Sequence, residues 1–282
     1  MNFPKHWAFA DYDGASEGPF ACWGWSDLSL EDAEAVARQR SQGVMTRVLG
    51  GDRPESYLYG NKPVREEVLE KFYNEEGTLE AAITLNSYGC QILNTAKLMF
   101  VDVDLEDESS AIANISSSVG NWFGLSQKNP REEKEKAALE RLHDLISSNP
   151  HFGVRAYRTK AGLRYLFTHA EYAPAADATQ QLMSLLDTDP LYQRLCLAQQ
   201  SFRARLNPKP WRCGMKALRA SYPYVNQIEQ NRIRRWQSRH QEASEPFASC
   251  EFIHHDGTTS SPPALAKLIK LHDQHTRATS GL

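Results

Sequence analysis

Cysteine is sparse and unpatterned: Cys22, Cys90, Cys196, Cys213 and Cys250 are spread over 282 residues with no Cys-x-x-Cys pair. That excludes a zinc ribbon and a dithiol redox motif. The odd number and wide spacing read as reduced thiols, and Cys213, set among basic residues, is the one whose surroundings point to reactivity. No apolar run approaches the roughly 20 residues that cross a bilayer, and Met1 to Asp11 lacks the apolar core of a secretory signal, so a cytoplasmic chain with no membrane partner is expected. Glycine-rich phosphate loops are missing too. Without Gly-x-Gly-x-x-Gly or a P-loop, neither a Rossmann cofactor site nor a P-loop ATPase is supported, and no Gly-x-Ser-x-Gly elbow marks a serine hydrolase. Repeats and low-complexity tracts are absent. Nor does one sign of charge dominate: 32 Lys and Arg against 35 Asp and Glu leave a net charge of −3. A surface basic all over is excluded, and a local basic groove is not.

What is present suits a globular protein, since 41% hydrophobic residues can bury a core without disulfide or metal staples, and the mix of helix and strand patterns along it reads as α+β. Aromatic residues alternate from His6 to Trp25 as in a β-hairpin turning at Asp13 to Ser16. Ser29 opens a helix that should stop at Gly43, and Pro63 opens a second whose Val64, Val68 and Phe72 share a stripe. Strands follow at Ile83 and Leu85, at Gln91 to Leu93, and at Leu98 to Asp104. Residues 107–129 are Ser-, Asn- and Gly-rich and read as a loop. A charged helix from Arg131 to Ser147 leads to a hairpin, Gly153 to Thr159 and Leu163 to Thr168. Helices are expected at Ala176 to Leu186, Pro190 to Ser201, Gln227 to Arg239 and Pro263 to His275, with a strand at Phe247 to Ile253. Phe202 to Gly214 reads as a basic, Pro-stiffened loop.

The segment Leu98-Met99-Phe100-Val101-Asp102-Val103-Asp104 carries the most chemistry. On a strand, residues i and i+2 face one side about 6.6–6.8 Å apart, so Asp102 and Asp104 can reach one divalent cation or bracket two. Oxygen ligands of this kind suit Mg²⁺ or Mn²⁺. The alternative is a strand end whose acids are merely solvated. Two basic segments are candidates to face the acids. Arg155, Arg158 and Arg164 lie in the second hairpin, where Arg158, Thr159 and Arg164 surround a turn suited to phosphate, or serve only an exposed hairpin's solubility. Arg203, Arg205, Lys209 and Arg212 are interleaved with Phe202 and Trp211, which offers phosphate contacts and a stacking face for a base. Other signals read as structural: His254-His255-Asp256 and His272-Asp273-x-His275 as solvated or helix-end groups, and Arg232, Arg234, Arg235 and Arg239 with Trp236 as a solvated helix face.

Phe100-Val101-Asp102-Val103-Asp104 resembles the acid-x-acid strand of the archaeo-eukaryotic primase superfamily, the primase-polymerases. Thr159 to Phe167 looks like that family's nucleotide-contacting hairpin, with Arg164 where the family has His, and Phe202 to Lys209 is similar to its later Arg-rich stretch. The resemblance covers roughly residues 81–214 and implies a division into 1–80, an N-terminal α/β extension; 81–220, a catalytic core; and 221–282, a helical segment packed on it. It implies a mixed sheet core, Mg²⁺ or Mn²⁺ on Asp102 and Asp104, a nucleoside triphosphate held by Arg158, Thr159, Arg164, Arg203, Arg205 and Lys209, and DNA or RNA stacking on Trp211. Asp102, Asp104 and Arg164 would be catalytic, and the family's third acid would be Asp189 or Glu251. The activity implied is metal-dependent nucleotidyl transfer to a 3′-hydroxyl or initiation of a primer. Two other readings stay open: a glycosyltransferase holding a sugar nucleotide through Asp-x-Asp, which requires a Rossmann-like half before Asp102, and a non-catalytic primase-like module that binds nucleotide or nucleic acid.

Overall fold

A computed structural model of the chain describes residues 1–14, 18–51, 63–105 and 130–279. The aromatic N-terminus forms the expected hairpin: β1 (His6–Gly14) pairs with β2 (Gly18–Ser26), Trp7 opposite Trp25 and Phe9 opposite Trp23. Part of the expected turn, and the expected loop at 107–129, lie outside the described residues. Helix α1 (Leu30–Leu49) begins where the Ser29 side chain accepts a hydrogen bond from the Asp32 N–H. It lies so close to β2 that a Cβ on Gly24 would sit 2.1 Å from the Ala33 carbonyl oxygen. Gly43 does not stop the helix. A Cβ there would meet nothing within 4 Å, and one exposed glycine costs a helix only about 1 kcal/mol, so α1 runs on to Gly50.

The remaining strands make two four-stranded sheets in which every pairing is antiparallel, so the fold is α+β as expected but its sheets are not mixed. One sheet has the order β3-β4-β5-β9, from β3 (Glu67–Tyr73), β4 (Leu79–Leu85), β5 (Gln91–Thr95) and β9 (Phe202–Arg205). The helix expected after Pro63 is thus a strand. Its ladder with β4 shifts register twice, between Val68 and Glu70 and between Phe72 and Tyr73, and such bulges reset the side-chain phase so that a strand shows helix-like apolar spacing. β9 likewise replaces the start of the expected basic loop: Phe202 and Ala204 are buried while Arg203 and Arg205 alternate with them.

The second sheet has the order β10-β7-β8-β6, from β6 (Phe100–Asp104), β7 (Gly153–Thr159), β8 (Gly162–Phe167) and β10 (Cys250–Gly257). Helix α2 (Pro130–Ser148) covers one face, where the Tyr165 hydroxyl donates to the Ala138 carbonyl at 3.0 Å. Helix α6 (Pro263–Thr276) meets the other, where the Tyr157 hydroxyl donates to Asp273 Oδ1 at 2.7 Å. Between the sheets in sequence come α3 (Asp177–Leu185) and α4 (Pro190–Gln199), with α5 (Gln227–Ser244) before β10. One hydrophobic cluster draws on both sheets, including Ile83, Leu93 and Phe202 from the first and Phe100, Tyr157 and Leu166 from the second. β3 pairs with β4 across residue 80, and β10 from the C-terminal segment pairs with β7.

Candidate functional site

Strand β6 closes one end of its sheet with Phe100, Val101 and Val103 buried, and its register decides what the two acids do. Asp102 stands opposite Arg164 and Asp104 opposite Gly162, so both acids share one face, as their spacing requires. Arg164 Nε donates to Asp102 Oδ1 at 2.7 Å and its Nη2 to Oδ2 at 3.0 Å. The Arg164 side chain is 4% exposed and that of Asp102 is 34% exposed. Burial alone would push the guanidinium pKa down; the Asp102 carboxylate more than offsets this and holds it above its usual range. The third guanidinium nitrogen, Nη1, donates to the Arg205 carbonyl at 3.2 Å. Gly162 permits the close pairing, because a Cβ there would lie 1.9 Å from the Val103 carbonyl oxygen.

The pair continues inward as a polar chain. Arg164 Nη1 lies 3.5 Å from His272 Nε2, and His272 Nδ1 lies 3.0 Å from Asp273 Oδ1. Asp273 also accepts from the Tyr157 hydroxyl at 2.7 Å and from Arg155 Nη2 at 2.8 Å. Burial lowers the His272 pKa, so the neutral ring fits the chain with Nδ1–H donating to Asp273 and Nε2 facing the Arg164 donor. For Asp273, burial pushes upward, but the donors His272, Tyr157 and Arg155 hold the carboxyl below the usual range. His272 and Asp273 are thus not the solvated helix end expected of them. The signal that places His272 inside is its spacing with Leu265, Leu268 and Thr276, all four of which are buried on α6.

Several expected phosphate contacts are committed elsewhere. Arg158 and Arg164 lie on opposite faces of the sheet, because across the hairpin Arg158 pairs with Leu163 and Arg164 with Tyr157. Arg158 donates to Glu135 from Nη2 at 2.6 Å and to Glu251 from Nη1 at 3.0 Å. Glu251 is therefore held on the face away from Asp102. Thr159 closes its own turn, its Oγ1 accepting from the Gly162 N–H and donating to the Gly162 carbonyl, both at 3.1 Å. Arg203 contacts both oxygens of Glu66 at 2.7 Å. Asp189 does lie beside the acids, its N–H donating to the Asp102 carbonyl at 3.0 Å, but its side chain caps α4 by accepting from the Leu191 N–H at 2.8 Å.

Arg205, Lys209 and Trp211 do come together with the acid strand. Among the described residues, Arg205, Lys209 and Arg212 form no ion pair or hydrogen bond through their charged groups. Burial and then the neighbouring Arg164 charge lower the Arg205 pKa, and burial followed by Arg205 and Arg212 lowers that of Lys209, which the Asp104 charge partly opposes. The loop that carries them is shaped by Pro208 and Pro210, with a short 3-10 turn at Pro210–Cys213 closed by Gly214 at φ +72°. Trp211 is 51% exposed and Tyr88 55% exposed. Their rings meet edge to face at 5.9 Å, with Lys209 Nζ 5.3 Å above the indole. Tyr88 was not legible as a partner, since the turn after β4 and the loop after β9 meet only in space. Cys213 is not activated by its basic neighbours: burial raises its thiol pKa.

His254 and Asp256 are neighbours on β10, Nε2 to Oδ2 at 3.3 Å, and Arg234 is paired with Glu67. A Mg²⁺ or Mn²⁺ centre fits this donor set poorly, because both oxygens of Asp102 already bind Arg164 and the Asp189 carboxylate is engaged as a cap. Compared with protein-family models, with curated proteins and with solved structures, the chain has no significant match, and the geometry of this site carries the functional reading.

Proposed function

We propose that the chain is a primase-like binding module for single-stranded nucleic acid, taking phosphates on Arg205, Lys209 and Arg212 and bases on Trp211 and Tyr88. The observation that carries this reading is three mutually repelling cations that form no ion pair among the described residues, beside an exposed aromatic pair. Holding like charges together is costly until an anion neutralises them, and a phosphate backbone supplies anions in series while any base can stack on an indole. Arg164 and Asp102 neutralise each other and fix the β6–β8 edge on which Arg205 rests. Their role in this reading is positional. Fluorescence anisotropy with a labelled oligothymidylate tests it: wild type binds, and Trp211→Ala weakens binding by about 1–3 kcal/mol, the usual worth of one stacked base. No binding by wild type, or equal binding by the variant, counts against it.

Nucleotidyl transfer is the second reading, favoured by Asp102 and Asp104 sharing a face beside Lys209. It requires Arg164 to give up Asp102. Primer extension with Mg²⁺ or Mn²⁺ that is lost in Asp104→Ala would establish it over simple binding. The sugar-nucleotide reading is disfavoured, because the strands before Asp102 form an antiparallel meander where a Rossmann-like half is parallel.

A further inference from the structure

We propose that the cavity of about 700 Å³ between α2 and β10 holds a divalent cation of the zinc type, bound by His254 and Asp256 of β10 and His143 of α2. The ladder of β10 with β7 shifts register between Phe252 and His254. Glu251 stands on the α2 face, where it meets Arg158, and plain alternation from it would bring Ile253 and His255 to that face. The shift puts His254 and Asp256 there instead, while His255 lines the cavity beside Arg155 and Asp273 on the opposite face. Bulges of this kind re-aim side chains and are common beside functional sites.

The distances suit a metal better than a hydrogen bond. His254 Nε2 lies 3.3 Å from Asp256 Oδ2, longer than the roughly 2.7–2.9 Å of a charge-assisted hydrogen bond. Two ligands of a tetrahedral Zn²⁺, each bound at about 2.0–2.1 Å, stand about 3.3 Å apart. His143 Nδ1 is 3.9 Å from the same carboxylate oxygen. As they stand, no three His, Cys, Asp or Glu side chains among the described residues could hold an ion together. His143 completes the set by closing from 3.9 Å to about 3.3 Å, a movement open to a side chain that is 70% exposed. Asp256 is 24% exposed, and among the described residues its ion partners are these two imidazoles, with no Lys or Arg. The lining adds Glu132, Glu135 and Glu140 against Lys136 and Arg158, so its field favours a cation. Two imidazoles and a carboxylate make a zinc donor set that leaves the fourth position to water. None of the three ligands belongs to the proposed nucleic-acid site, and the inference stands apart from that reading.

Calorimetric titration of the metal-free full chain with Zn²⁺ tests it. Wild type should bind one Zn²⁺ per chain and melt at a higher temperature when loaded. His143→Ala and His254→Ala should each weaken binding at least about tenfold and leave the melting of the metal-free chain unchanged, since neither ring is buried. His255→Ala and Cys213→Ser, which remove metal-binding groups outside this cavity, should bind like wild type. The proposal is overturned by no binding at micromolar Zn²⁺, by equal affinity in wild type and both cavity variants, or by loss in His255→Ala or Cys213→Ser alone.

Discussion

Replacing Asp102 by Asn separates a structural from a metal-binding role for the acid strand. In the native chain the Arg164 guanidinium is 4% exposed and draws two of its contacts from Asp102. Asn keeps the shape and one acceptor oxygen but removes the charge and turns an NH2 donor toward the guanidinium, so buried Arg164 is left with one neutral hydrogen bond from residue 102 beside the Arg205 carbonyl at 3.2 Å and the His272 ring at 3.5 Å. Stripping one partner from a buried ion pair costs roughly 3–5 kcal/mol. The surviving carbonyl contact and the partial exposure of Asp102 put this variant near the low end, about 3 kcal/mol. Arg164→Met should cost less, about 1.5 kcal/mol, because the abandoned Asp102 carboxylate keeps 34% of its side chain in water. The double variant Asp102→Asn/Arg164→Met should then be more stable than Asp102→Asn alone, since no buried charge remains. Urea unfolding at pH 7 in the presence of EDTA measures all three. An acid strand poised for metal predicts the reverse for Asp102→Asn: relief of repulsion with Asp104 and a neutral or stabilising change. That result would refute the reasoning.

Other predictions follow from the same geometry. Gly162→Ala should destabilise the fold by about 3 kcal/mol, at the upper end for overpacking, because its Cβ would meet the Val103 carbonyl at 1.9 Å; chemical denaturation reads this directly. His272 is buried as the neutral base with its pKa lowered. The unfolded chain therefore takes up a proton below about pH 6.5, and stability falls from there towards the folded pKa. His272→Gln should flatten the stability–pH curve just below about pH 6.5 by up to about 1.4 kcal/mol per pH unit. Asp273, held low by its donors, contributes stability above about pH 3.9 that is lost as the pH falls through its folded pKa, and Asp273→Asn should abolish that acid limb. Lys209→Ala should weaken oligonucleotide binding without changing thermal stability, and should lower the salt dependence by about one phosphate contact.

Much of the fold was legible because local patterns agreed with the final structure. Asp102 and Asp104 were placed on one face by strand periodicity, the β7–β8 hairpin was bounded by its turn residues, α2 buries the expected Ala138 and Leu142, and α4 starts at its Asp189 cap. Two elements were misread where local signals competed. The bulges of β3 produced helical spacing from a strand, and the charges of Arg203 and Arg205 masked the period-two burial of Phe202 and Ala204 in β9. The site was half legible. Arg205, Lys209 and Trp211 were named from composition, whereas Arg158 and Arg203 were not separable from them, because their partners Glu135, Glu251 and Glu66 are remote in sequence. Register across a hairpin and the choice of ion-pair partner are tertiary facts. No spacing rule reports that Arg164 would spend its charge on Asp102.

The most direct test of the central claim is the salt dependence of oligothymidylate binding, measured by anisotropy with and without EDTA. Three phosphate contacts to a single strand give a slope of log K against log salt of about −2, unchanged by chelation. Absence of binding, or binding that needs Mn²⁺ and vanishes with EDTA, would contradict the account.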